Sequence, residues 1–98
     1  MSRPVFALQA FVKQRRRVGE DVEPRLEVFL DAIANAAPQP GDVPLTGHPG
    51  RWRHRIGDWR VIYEVRRDCI EMQAVLTRGE VFSKKGLRVR RVDVGQRE

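Results

Sequence analysis

The chain reads as an α+β domain, with a short N-terminal strand and an αα hairpin packed on a small antiparallel β-sheet. Two observations predict it. Apolar residues in the first third recur at helical spacing, whereas from Trp52 onward they recur every second residue. Between these regions lies PQPGDVPLTGHPG, residues 38–50, rich in Pro and Gly, where both periods stop. Ninety-eight residues leave room for one modest core. Residues 1–85 are expected to form it as a single domain, with 86–98 a basic C-terminal tail or an edge strand.

Val5 to Ala7 suit a first strand leading into a helix from about Leu8 to Val18. Leu8, Phe11, Val12 and Val18 share one face of that helix, and Lys13, Arg15, Arg16 and Arg17 surround the rest. Gly19 is placed to cap it in the left-handed conformation. A second helix opens near Asp21 to Pro24, where acidic residues and a proline suit a first turn. Val22, Leu26, Phe29, Leu30 and Ile33 form its apolar stripe, and Pro38, Pro40 and Gly41 end it. The two helices are expected to form an antiparallel hairpin, and Leu45 to plug into the core from the following loop.

The stretch RWRHRIGDWRVIYEV, residues 51–65, is the densest pattern in the chain. Gly57-Asp58 suits a two-residue type II′ turn, with glycine first. Counting back from that turn opposes Ile56 to Trp59, Arg55 to Arg60, His54 to Val61, Arg53 to Ile62, Trp52 to Tyr63 and Arg51 to Glu64. One face then carries Trp52, His54, Ile56, Trp59, Val61, Tyr63 and Val65 toward the core. The other carries Arg51, Arg53, Arg55, Arg60, Ile62 and Glu64. A turn near Arg67-Asp68 leads to a third strand, whose Ile70, Met72, Ala74 and Leu76 have the parity to pair with Val65, Tyr63, Val61 and Trp59. On a regular strand Arg78 would point to the core side, reaching the arginine face only if the strand ended or bulged near Thr77. His54 has core parity and reads as a structural, hydrogen-bonded histidine.

Nineteen Lys plus Arg against thirteen Asp plus Glu give a net charge of +6, which favours an anionic partner such as nucleic acid, a membrane surface or an acidic protein. Many small basic proteins have no polyanion partner, so charge alone does not choose. The single cysteine, Cys69, cannot form an internal disulfide, and its neighbours do not resemble a metal site. PVFALQAFV, residues 4–12, is too short to span a bilayer, and its basic cluster follows the apolar run where a signal peptide would have it first. A soluble cytoplasmic protein without membrane partner, metal or cofactor is expected. The arginine face is the informative charge. Arg55 opposite Arg60 is a destabilising like-charge pair, and Glu64 answers only Arg51. A solvated face with arginine stems lying over the sheet is one reading. A phosphate-binding surface is the other, because guanidinium presents a planar fork of donors and stays charged in any environment.

The run LTGHPGRWRHRIGDWRVIYEV, followed by VLTRGEVF (residues 75–82), resembles the RelE/ParE superfamily of bacterial toxins. In that family a Leu-x-Gly turn leads to Trp-Arg-x-Arg-x-Gly-Asp-Tyr-Arg-Val-x-Tyr, with Arg-x-x-Val-Tyr after the last strand. Leu45, Gly47, Trp52, Arg53, Arg55, Gly57, Asp58, Trp59, Arg60, Val61, Tyr63, Arg78 and Val81 match, and the resemblance covers about residues 3–82. It implies the toxin of a type II toxin–antitoxin module with a RelE/ParE-like fold. The RelE-like branch implies a metal-independent endoribonuclease (an mRNA interferase) that enters the ribosomal A site and inhibits translation. There the message's 2′-hydroxyl attacks the adjacent phosphate, leaving a cyclic phosphate and a 5′-hydroxyl. By resemblance, Arg53 and Arg55 take the positions of the paired basic residues, Arg60 and Arg78 those of the phosphate-binding arginines, and Phe82 that of the family's tyrosine.

Phe82 has no hydroxyl, so His48, Glu64 and Glu80 are the candidate proton carriers. Lys13, Arg15, Arg16, Arg17, Arg51, Lys84 and Lys85 are expected to contact RNA backbone. The implied partners are a cognate antitoxin, the ribosome and mRNA, with DNA met only through the antitoxin complex. A ParE-like gyrase-binding toxin without catalysis, or a non-catalytic antitoxin-binding relative, are the alternative readings.

Overall fold

A computed structural model describes residues 2–80, Phe82 and the backbone of residues 91–93. Strand β1 (Val5–Leu8) runs directly into helix α1 (Gln9–Arg15), and α2 (Glu23–Asn35) follows. After the Pro/Gly loop come the short strand β2 (Val43–Pro44), then β3 (Arg51–Ile56), β4 (Trp59–Val65) and β5 (Ile70–Thr77), and finally β6 (Arg91–Asp93). They form one six-stranded sheet in the order β2-β3-β4-β5-β1-β6.

The sheet is mixed, because β1 lies parallel to β5, with Val5, Ala7 and Met72 all buried along that seam. β6 pairs antiparallel with β1, within the segment whose sequence leaves tail and edge strand open. Beyond the three-residue pairing with β1, side chains of the α1 region serve the edge of β5. The Val75 amide donates to Gln14 Oε1 at 2.8 Å, and the Val75 carbonyl accepts from Arg17 Nη2 at 3.4 Å.

Both helices cover one face of the sheet. Phe11 from α1, and Leu26, Phe29, Leu30 and Ile33 from α2, pack on Val5, Ala7, Ile56, Val61, Tyr63, Ile70, Met72 and Val75. The stripe expected for α2 is therefore its buried face, and Glu23 and Pro24 sit in its first turn. α1 is shorter than its pattern suggests. After Arg15 the chain tightens into i→i+3 bonds from Arg16, Arg17 and Val18, so Val18 packs on the core from a turn. Gly19 is not the left-handed cap the sequence proposes. Arg16 closes the helix in ordinary right-handed geometry, and the Gly19 carbonyl instead accepts from Val22 and Glu23 to start α2. Arg15 joins the two helices, its Nε donating to Glu23 Oε1 at 2.7 Å.

The β3–β4 hairpin has the register counted from its turn, from Arg51↔Glu64 to Ile56↔Trp59. Gly57 has φ +58°, which the first position of a type II′ turn requires and side-chain-bearing residues avoid. β5 departs from expectation. Val65↔Ile70 and Tyr63↔Met72 hold, but a bulge between Ile62 and Tyr63 leaves Gln73 as an extra residue, so Ile62 meets Ala74, Val61 meets Val75 and Trp59 meets Thr77.

Ala74 and Leu76 consequently leave the helix-covered face. With Ile62 they form a second small core on the arginine face, against which Leu45 and Phe82 pack. Leu45 thus plugs that cluster instead of the main core. One extra residue lets Val75 point to the helices and Ala74 and Leu76 to the other side, so all three are buried.

Because Gln73 is the supernumerary residue, its deletion would regularise β5 without moving Val75, Leu76 or Arg78 to new faces. Deletion of Gln73 is expected to shift folding stability by no more than about 2 kcal/mol in urea denaturation. Insertion of one glycine after Gln73 would keep Val75 on the helix-covered side but move it two places along β4, from Val61 to Trp59, with the glycine taking its place in the core, and is expected to destabilise by roughly 2 kcal/mol or more.

Candidate functional site

Arg53, Arg55, Arg60 and Arg78 line one open concavity of about 340 Å³. β3 supplies Arg53 and Arg55 on its outward face, and β4 supplies Arg60 opposite Arg55. Arg78 arrives from the turn after β5, on the arginine side because the bulge at Gln73, several residues before Thr77, has already reversed the strand's parity. The hairpin tip, Gly57 and Asp58, closes one end, and Gly41 and Val43 form a further wall.

The like-charge pair Arg55/Arg60 is accommodated by divergence. Arg55 Nε donates to the Gly57 carbonyl at 3.0 Å, turning toward the hairpin tip. Arg60 Nη2 reaches the carbonyls of Thr77 (3.0 Å), Arg78 (3.0 Å) and Glu80 (2.7 Å). Arg60 is therefore half-buried, where the sequence places it as an exposed face residue, and it braces the turn that presents Arg78. Arg53, Arg55 and Arg78 are exposed. The same turn is held from the other side. Arg17 grips Glu80 with both forks (2.8 and 3.2 Å), while the Thr77 amide and hydroxyl each donate to Glu80 Oε1 at 2.9 Å.

The wall bearing Gly41 and Val43 is anchored by the residue between them. The Asp42 carboxylate is 2% exposed and accepts from Tyr63 Oη, from the Gln39 amide at 3.2 Å, and shares a 2.6 Å bond with His54 Nδ1. His54 stacks on Phe29 at 3.8 Å, so its core parity is satisfied by a ring on one side and a carboxylate at its edge. Burial raises the Tyr63 phenol above its ordinary range, and Asp42 adds to the shift, so this hydroxyl remains a donor.

Residues 7–82, which include every residue of the concavity, match the family model described as the ParE toxin of the type II toxin–antitoxin system parDE. The chain belongs to this toxin family. Solved structures agree on the fold. The isolated RelE toxin of E. coli is similar at a TM-score of 0.70 and 15% identity, over 82% of this chain and 88% of that one. A chain of the archaeal RelE–RelB complex of Pyrococcus horikoshii OT3 is similar at a TM-score of 0.67 and 25% identity, over 83% and 100%. A chain of the E. coli DinJ–YafQ complex gives a TM-score of 0.61 and 23% identity, over 83% and 99%. No curated protein matches the chain in sequence.

In this family member the candidate proton carriers lie apart from the arginine concavity. Phe82 packs on the small second core, with its ring 5.6 Å from both the His48 ring and the Arg51 guanidinium. Arg51 Nη1 lies 3.0 Å from His48 Nδ1. Arginine can only donate, so Nδ1 accepts and the ring proton sits on Nε2. Glu64 accepts from Gln73 Nε2 at 2.9 Å and Arg66 at 3.3 Å, and faces Arg51 Nε at 3.7 Å. Glu80 is held down to about 2, first by the Arg17 hydrogen bond and then by Thr77, which makes it a feeble base. Asp58 is the carboxylate that does line the concavity, a position that hairpin-turn chemistry explains in the sequence and so conceals.

The basic residues outside the concavity divide. Arg15 and Arg17 are engaged by Glu23, Glu27 and Glu80, and Arg51 by Glu64 and the Phe82 ring, whereas Lys13 and Arg16 are exposed. Lys84, Lys85 and Val81 lie outside the described residues. Among those described, side chains with metal-ligand chemistry do not gather into a group of three, and no helix is long and apolar enough to cross a membrane.

Two outcomes follow from these contacts. Arg60→Ala is expected to destabilise the fold by about 1–3 kcal/mol, because it strips a brace from three carbonyls. Arg53→Ala, on the exposed side, should stay within about 0.5 kcal/mol, and chemical denaturation separates the two. Glu80 has its folded value lowered from 4.5 to about 2, so its stabilisation is complete above the ordinary value and fades as pH falls through the folded one. The difference in Tm between the parent and Glu80→Gln should therefore be largest near neutrality and shrink as pH is lowered from 5 toward 2.

Proposed function

We propose that this toxin binds an RNA phosphodiester in the arginine concavity and acts as a ribosome-dependent, metal-independent mRNA endonuclease. The observation that carries the reading is the convergence of Arg53, Arg55, Arg60 and Arg78 on one open concavity. Three of these side chains are exposed, and the fourth is rigidly braced. Donors fixed before substrate arrives stabilise the extra negative charge of a pentacoordinate phosphate without reorganising. In the proposed step the 2′-hydroxyl oxygen bonds to phosphorus and the bond to the 5′-oxygen breaks, giving a cyclic phosphate and a 5′-hydroxyl. The proton lost from the 2′-hydroxyl and the one gained by the leaving oxygen need carriers. Arginine, always charged, is a poor one. Asp58 at the concavity and His48 beside Phe82 are groups of this chain with suitable chemistry.

The cognate antitoxin is the second proposed partner, since relatives of this fold are solved as RelE–RelB and DinJ–YafQ complexes. An acidic segment of such a protein over the concavity would mask its charge, and the exposed Lys13 and Arg16 remain for ribosomal RNA backbone in the cytoplasm. A gyrase-binding toxin without catalysis is the competing reading. Two observations favour it: the family match to ParE, and the ring without a hydroxyl at position 82.

Purified ribosomes programmed with a defined message test the proposal. The expected result is a new 5′-hydroxyl end at the A-site codon, with Arg53→Ala and Arg78→Ala each lowering the cleavage rate by about 10²-fold or more while the fold persists. Phe82→Tyr is expected to raise the rate, by restoring a hydroxyl where the family carries one. An intact message together with inhibited gyrase supercoiling would move the assignment to the non-catalytic branch.

A further inference from the structure

We propose that the Gly41–Val43 segment is the nucleobase-facing wall of the arginine concavity, with Val43 as the contact residue and Asp42 as the residue that positions it. The inference rests on the RNA reading above and names what recognises the part of the ligand that is not phosphate.

Among the described residues, Val28 and Val43 are the large apolar side chains left exposed, at 69% and 44%. Val28 lies on α2, away from the concavity. Val43 lines it, paired in register with Arg53, so an apolar branch stands beside a guanidinium. Inorganic phosphate is fully served by guanidinium forks and gains nothing from such a wall. A nucleotide presents both chemistries, an anionic ester and, one ribose away, a flat base with an apolar face. Binding sites for such ligands combine apolar walls with a few placed polar groups.

The alternation of the segment explains why Val43 faces outward. Asp42 turns inward, buried against His54 and Tyr63, and its neighbours on either side are therefore directed into the concavity. Gly41 adopts φ +88°, and a Cβ built there would meet nothing within 4 Å. The backbone geometry demands glycine, yet the space in front of it is open, leaving room for a ring to approach the wall. Asp42 does not line the concavity. Its role is to clamp the wall to the helix-covered core through two side chains, so that Val43 is presented at a fixed depth beside Arg53.

Fluorescence titration with a trinucleotide and with the same trinucleotide made abasic at its central position separates base recognition from phosphate binding. The parent is expected to bind the base-bearing ligand roughly three- to tenfold more tightly than the abasic one, from partial burial of an apolar face. Val43→Ser should narrow that gap to less than about twofold. Asp42→Asn should narrow it likewise although its side chain lies outside the concavity, with folding checked by thermal melting; if Asp42→Asn fails to fold, Val43→Ser decides alone. A parent that binds both ligands equally, or a Val43→Ser variant that keeps the full gap, overturns the proposal while leaving phosphate binding intact. If the parent binds neither ligand, this inference and the RNA reading fall together. If Val43→Ser weakens a Glu-Leu-Glu peptide and not the trinucleotide, the wall belongs to a protein partner and the proposal is overturned in that direction.

Discussion

A strand with one face under helices can place only alternate residues there, and β5 has to meet that condition at both ends while passing three consecutive apolar residues. Ile70 and Met72 face the helices at its start, and Val75 faces them further on. Two residues separate Met72 from Val75, so a regular strand cannot satisfy all three. The extra residue at Gln73 resolves the conflict. It also fixes everything downstream. Ala74 and Leu76 build the second core with Ile62, Phe82 packs on that core, and Arg78 is carried to the side where Arg53, Arg55 and Arg60 stand. Packing of the helix-covered face thereby determines the composition of the opposite one.

Gathering four guanidinium groups needs a counterweight in the absence of ligand, and the fold supplies it mostly with backbone dipoles. Arg55 and Arg60 point to carbonyls at opposite ends of their pair, one at the hairpin tip and one at the turn after β5. Carbonyl oxygens temper the charge without neutralising it, so the concavity keeps its attraction for anions. Asp58 apart, the carboxylates close to this face are committed elsewhere, Glu80 to Arg17 and Thr77, and Glu64 to Gln73, Arg66 and Arg51. Exposed ion pairs such as Arg17–Glu80 add little stability on their own. Their value here is positional, since this one ties the end of α1 to the turn that presents Arg78.

The sequence makes legible whatever is carried by local pattern. The II′ turn at Gly57-Asp58, the register of the hairpin, the buried stripe of α2 and the shared side of Arg53, Arg55 and Arg60 all follow from turn chemistry and parity. What stays hidden depends on contacts distant in sequence. A bulge has no signature in MQAVL, where every residue tolerates either face. The parallel pairing of β1 with β5 is chosen by the tertiary arrangement. Asp42 sits in a Pro- and Gly-rich segment that reads as a surface loop, yet its carboxylate closes the bond with His54. For His54 itself, parity indicated the structural role but not the partner. Gly19 misleads in the opposite way, because a glycine after a basic run imitates a helix cap that the chain makes with Arg16 instead.

The two halves of the proposed chemistry depend on the sequence in different ways. Holding a phosphate requires several long cations on one side of a rigid sheet, and that is enforced by the core itself through the parity of β3, β4 and the bulged β5. Moving a proton requires one heteroatom at one place, and no packing constraint protects it. Phe82 illustrates the difference. Its ring retains what the fold asks of that position, covering Ile62, Ala74 and Leu76 and touching Arg51 and His48, while lacking the oxygen that chemistry would ask for. His48, whose Nδ1 faces Arg51 and whose ring proton therefore sits on Nε2, stands against this same ring. A convergent cationic face is thus what the fold enforces, and the proposed catalysis hangs on a few side-chain atoms set around it.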